Sequence, residues 1–110
     1  MPYNFDCMIF IETSIFTKLI GQYLTDDEYF GLQKFLLQYP ETGKIIRETG
    51  GVRKLRWATS GKGKSGGIRI IYYWKSRDDE IWLLTVYSKS ERETIPNHIL
   101  RKIAEEIRDV

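Results

Sequence analysis

The 110-residue sequence has one cysteine, Cys7, and one histidine, His98. A lone cysteine forms no internal disulfide, and a cysteine and a histidine separated by almost the whole chain do not make the clustered ligand set that zinc needs. Neither a metal nor a cofactor is expected. Serine or cysteine triads require a base within hydrogen-bond reach of the nucleophile, and His98, the single imidazole, falls on a helix near the surface. Long apolar runs are also missing: the stretch from Ile68 to Trp74 is interrupted by Arg69, far short of the ~20 residues of a membrane span. No signal sequence of charged, apolar and small residues opens the chain. These absences predict a soluble protein of the reducing cytoplasm, with no membrane partner.

One further absence is local. Net charge is only +2, but residues 52–77 carry eight basic side chains (Arg53, Lys54, Arg56, Lys62, Lys64, Arg69, Lys75 and Arg77) and no acidic one, whereas the flanking parts each carry −3. Such a segment concentrates phosphate polymers around it, an effect that whole-chain charge hides. The competing reading is a solvated loop.

What is present supports a folded protein. Apolar residues make up 42% and charged residues 29%, unlike the profile of a disordered chain. The length suits one hydrophobic core, so residues 1–110 are read as a single domain. Seven Tyr, five Phe and three Trp serve a core first, and offer flat faces on which bases stack.

Local patterns give the element order. Cys7 to Glu12 is short, apolar and β-branched, followed by the helix-capping pair Thr13-Ser14. Phe16, Leu19, Ile20, Tyr23 and Leu24 then recur at helical spacing. Thr25 with Glu28 makes a capping box for a second helix, whose apolar stripe runs through Tyr29, Leu32, Phe35, Leu36 and Tyr39 until Pro40. Glu41 to Gly51 reads as a connection with little regular structure. Three β-rich runs follow, Val52 to Ala58, Gly67 to Lys75 and Ile81 to Ser88, with a glycine- and lysine-rich loop between the first two. Beyond Pro96, Ile99, Leu100, Ile103, Ala104 and Ile107 line a closing helix of about three turns. The expected architecture is α+β: an antiparallel sheet with two N-terminal helices on one face and a C-terminal helix. Strand alternation gathers Lys54, Arg56, Arg69, Tyr73, Tyr87 and Lys89 on the other face.

Two apparent motifs carry little. Asp78, Asp79 and Glu80 fall in a turn, where no acid–base or magnesium role is needed. The Gly61-Lys-Gly-Lys-Ser65 run lacks the glycine spacing of a Walker loop and leads into a strand instead of a helix. The basic and aromatic cluster suits a phosphodiester. RNA carries its own nucleophile, the 2′-hydroxyl, so a protein need only orient it, neutralise the phosphate and protonate the leaving oxygen. Arginine forks hold phosphate oxygens through paired donors, and lysine or tyrosine can move the proton.

The runs Gly51-Val-Arg-Lys-Leu-Arg-Trp57, Gly61-Lys-Gly-Lys-Ser-Gly-Gly67, Arg69-Ile-Ile-Tyr-Tyr-Trp74 and Val86-Tyr-Ser-Lys-Ser-Glu-Arg92 resemble the RelE superfamily of bacterial toxins, and within it the HigB-type branch with an extended Gly-Lys loop. The resemblance implies a microbial-ribonuclease-like α+β fold and ribosome-dependent, metal-independent cleavage of mRNA in the decoding site. It also implies neutralisation by a cognate antitoxin, a HigA-like helix-turn-helix protein through which the complex binds operator DNA. Carried over by position, the catalytic set is Lys54, Arg56, Arg69, Tyr87 and Lys89, with Lys62, Lys64, Tyr73 and Arg92 as RNA contacts. Ser90 stands where some relatives place an arginine acid and Pro96 where they place a tyrosine base, so Lys89 and Tyr87 are the nearby groups able to substitute. A gyrase-inhibiting toxin and a non-catalytic RNA-binding protein of the same fold remain the alternatives.

Overall fold

The computed structural model describes residues 8–59, 67–91 and 95–110. Two helices begin where the capping residues place them. In α1 (Ser14–Ile20) the Thr13 hydroxyl accepts the Phe16 N–H at 3.1 Å. In α2 (Asp26–Gln38) Thr25 and Glu28 complete the reciprocal capping box, which satisfies two amides that the helix cannot. The third helix, α3 (Asn97–Arg108), starts after Pro96.

Among the described residues five strands form one sheet: β1 (Ile9–Glu12), β2 (Lys44–Ile45), β3 (Val52–Trp57), β4 (Ile68–Lys75) and β5 (Glu80–Ser88), in the order β1-β5-β4-β3-β2. All pairings are antiparallel except β1 with β5. The turn into β5 uses a short 3₁₀ segment, Ser76–Asp78, followed by Asp79 with φ 54°. Within the stretch expected to be a plain connection, β2 is the one regular piece. The glycine- and lysine-rich loop expected from the sequence falls at 60–66, outside the described residues.

The sheet has two unlike faces. On the first, Leu55, Ile68, Ile70, Tyr72, Ile81, Leu83 and Val86 meet Phe16, Ile20, Leu24, Leu32 and Leu36 of the α1/α2 layer, forming the larger core. On the second, α3 lays Leu100, Ala104 and Ile107 over Val52, Ile71, Tyr73 and Leu84. That helix therefore covers only one end of its face.

A bulge in β5 decides what the uncovered end carries. Ile71 faces Thr85 and Tyr72 faces Leu83, so Leu84 is the extra residue between them. Leu84 and Thr85 both turn to the second face, and the alternation is offset by one beyond this point. The Leu84 carbonyl, out of step with the ladder, accepts the Thr13 hydroxyl at 2.7 Å. One threonine thus caps α1 and satisfies the bulge.

Candidate nucleic-acid interface

Residues directly opposite one another in a sheet point to the same side, so register alone places the basic groups. On the second face Arg56 lies opposite Arg69, and Arg69 lies opposite Tyr87, giving one row across β3, β4 and β5. Two residues earlier on β3, about 6.8 Å along the strand, Lys54 lies opposite Ile71 on β4 and opposite Lys44 on β2. Lys44, Lys54 and Arg56 are exposed, while Arg69 and Tyr87 are half-buried. An open cavity of about 670 Å³ is lined by Thr42, Lys44, Lys54, Leu55, Arg56 and Arg69.

Like charges facing each other across strands destabilise a sheet. Here two such pairs occur, Arg56 with Arg69 and Lys44 with Lys54. Among the described residues no carboxylate forms an ion pair with Lys44, Lys54 or Arg56. Lys44, Lys54 and Arg56 thus present exposed positive charge on one side of the sheet, of the kind that attracts an external polyanion.

Lys75, Arg77 and Arg53, also in the acid-free segment, have structural work. Lys75 is only 6% exposed, and its ammonium donates to the Val110 carbonyl at 2.9 Å and pairs with Asp78 at 3.0 Å. Arg77 reaches the Arg108 and Val110 carbonyls and Asp78. Both neutralise the negative end of α3. Hydrogen bonding from Lys75, with Arg77 beside it, holds the Asp78 carboxyl below the usual carboxylate range. Glu80 accepts the Trp82 indole N–H at 2.9 Å. Two acids of the turn are therefore spent locally. Arg53 points to the first face and donates to the Glu41 and Gly43 carbonyls at 2.9 and 2.8 Å.

The remaining candidates separate. Tyr73, expected as an RNA contact on the exposed face, is 8% exposed and packs in the α3 core with Val52 and Leu84, so it is withdrawn from the surface. The reason is its register opposite Val52 and Trp82, at the end that α3 covers. Lys89 is exposed in the turn after β5, with its N–H directed to the Gly67 carbonyl at 3.3 Å, and it does not line the cavity. Lys62, Lys64 and Arg92 lie outside the described residues. His98 is exposed in the first turn of α3.

The segment after β5 is anchored by Glu91, which accepts the Ser88 N–H at 2.8 Å and the Tyr23 hydroxyl at 2.6 Å. Partial burial, with the Glu91 carboxylate beside it, pushes the Tyr23 phenol up to about 12. Lys44 is the one cavity cation that sequence reasoning missed. Its local surroundings read as a connection, and only the long-range pairing with β3 brings it to the site.

No protein-family model matches the chain. Solved structures do match. A double arginine-to-alanine variant of the E. coli toxin RelE in the free state has a TM-score of 0.54 at 17% identity, covering 76% of this chain and 84% of that one. The isolated E. coli RelE toxin gives 0.51 at 17% identity, over 88% and 99%. The intact E. coli RelBE toxin–antitoxin complex gives 0.52 at 19% identity, over 78% and 100%. The fold is that of the RelE toxins. In this RelE fold Arg56 and Arg69 lie towards the far end of the face from Val52 and Tyr73, Tyr87 borders the α3 core, and the α1/α2 layer backs the row from behind.

Chemically, two guanidinium groups in register can grip the non-bridging oxygens of one phosphate, and a phenol beside them can pass a proton.

Proposed function

We propose that this protein is the toxin of a type II toxin–antitoxin pair, a HigB-like endoribonuclease of RelE fold that cuts mRNA in the ribosomal decoding site. The supporting observation is the register that brings Arg56, Arg69 and Tyr87 into one row beside Lys54, with Lys54, Arg56 and Arg69 around one open cavity. In this reading the RNA supplies its own 2′-hydroxyl, which attacks the adjacent phosphorus. The bond to the 5′-oxygen breaks, leaving a cyclic phosphate on one fragment and a 5′-hydroxyl on the other. Arg56, Arg69 and Lys54 hold and neutralise the phosphate as charge builds on its oxygens. Tyr87 and Lys89 handle the proton that leaves the nucleophile and the one that reaches the leaving group. No metal is needed for either transfer. Residues 1–110 act as one toxin domain in the cytoplasm.

The partner is a HigA-like helix-turn-helix antitoxin, by analogy with the RelBE complex, and operator DNA is bound through it. It neutralises by covering the basic face or by docking elsewhere and blocking ribosome entry.

Inducing the chain in cells and mapping mRNA 5′ ends tests the reading. New ends inside translated regions, absent with Arg69→Ala, are expected. Intact mRNA with broken DNA would replace it by gyrase inhibition, and RNA binding without new ends by a non-catalytic role. Growth arrest that survives both Tyr87→Phe and Lys89→Ala removes those two from the proton-transfer roles.

A further inference from the structure

The turn that leads into β2 is held more firmly than a two-residue edge strand requires. Tyr72, fully buried on the first face, donates its hydroxyl to the Pro40 carbonyl at 2.7 Å and accepts the Gly43 N–H at 2.9 Å. Arg53 ties down the Glu41 and Gly43 carbonyls from the same side. Gly43 is obligatory, because a Cβ there would lie 2.9 Å from Tyr72 Cε1 and 3.2 Å from Arg53 Cβ. All of this precision ends at Lys44, an exposed cation in register with Lys54 and lining the same cavity as Arg56 and Arg69. Lys44 and Lys54 lie one pleat repeat, about 6.8 Å, from the Arg56–Arg69 row. That spacing fits one step between successive phosphates of an extended single strand.

We infer that the Pro40–Ile45 arm is a second phosphate grip, in which Lys44 contacts the phosphate next to the one held by Arg56 and Arg69, and Tyr72 is the positioning residue. The inference rests on the RNA reading above and adds a subsite to it. A preset cation binds without first losing side-chain and loop freedom, and for that the arm must be fixed in advance.

The test uses the full chain and a single-stranded RNA oligonucleotide with 2′-O-methyl riboses, which cannot be cut, with affinity measured across a salt series. Each phosphate contact on a single strand contributes about 0.7 to the slope of log affinity against log salt. Lys44→Ala should lower the slope by about 0.7 with no loss of melting temperature, since Lys44 is exposed and faces the like charge of Lys54, and Lys44→Arg should restore it. Tyr72→Phe should weaken binding, and the Lys44→Ala/Tyr72→Phe double variant should bind within about twofold of Lys44→Ala alone, because both act through one contact. A purely structural Tyr72 would weaken binding equally with or without Lys44, and that outcome removes its positioning role. Wild-type slope in Lys44→Ala overturns the grip while leaving the RNA reading intact. Absence of salt-dependent affinity in the wild type overturns both, and the two failures are thereby distinguished. Because Lys44→Ala decides the main claim alone, a Tyr72→Phe chain that fails to fold leaves the test decisive.

Discussion

Two rows on one sheet face, four residues apart along β3, have opposite characters. Val52–Tyr73–Trp82 is apolar and lies under α3, whereas Arg56–Arg69–Tyr87 is cationic and meets the α3 core only through Tyr87. The same three strands supply both. At the covered end, neighbouring side chains exclude water together, and burial of this kind contributes about 25 cal/mol per Å². At the other end, Arg56 and Arg69 bring like charges into register. The sheet is thus stabilised by packing at one end and carries a concentration of positive charge at the other. Basic residues alone do not mark the difference: Lys75 sits on the same face and the same strand as Arg69, yet is buried and neutralised by Asp78 and the end of α3.

The sharpest way to break the comparison is to remove its packed end. Leu100 is fully buried beneath α3, and Leu100→Ala should cost about 3 kcal/mol in chemical denaturation; a loss below about 1 kcal/mol would mean the two ends are alike in packing. At the open end, Arg69→Ala should reduce mRNA cleavage about 100-fold, equivalent to about 2.7 kcal/mol of transition-state stabilisation, as read from the yield of new 5′ ends. Cleavage at the wild-type level would move the reaction off this row. Smaller still, Arg56→Ala removes a like-charge pair from an exposed site and should raise folded stability by about 0.5 kcal/mol while activity falls. A clear drop in stability would show that the row is not strained. The weakest effect concerns the anchor behind the row. The Tyr23 phenol is raised from 10.0 to about 12 in the fold, so its protonated form is favoured there. Its contribution is full below pH 10 and is lost as pH rises towards 12. The stability gap between wild type and Tyr23→Phe should accordingly close over that window in pH-dependent melting.

Local signals in the sequence were enough for the helices and the meander. Thr13, Thr25 with Glu28, and Pro40 act on their immediate neighbours, so their effects are visible without the fold. Alternation likewise separated Lys54, Arg56 and Arg69 from Arg53, Leu55 and Trp57. What depended on distant partners was not visible. The parallel pairing of β1 with β5 joins residues some 70 positions apart. Burial of Tyr73 depends on where α3 lands, and the role of Lys75 depends on the chain near Val110. Lys44 needed β2 to pair with β3.

The extra residue in β5 has a consequence for how this surface can change. Upstream of Leu84, odd-numbered positions of the strand, Ile81 and Leu83, belong to the larger core; downstream, the odd-numbered Tyr87 belongs to the open row. The bulge is a phase shift in a two-beat pattern. Ironing out the bulge at unchanged length would send Tyr87 into the helix layer and bring Ser88 out in its place, whereas deleting Leu84 would leave a regular strand with Tyr87 still in the row. Register, as much as side-chain identity, is what this strand encodes.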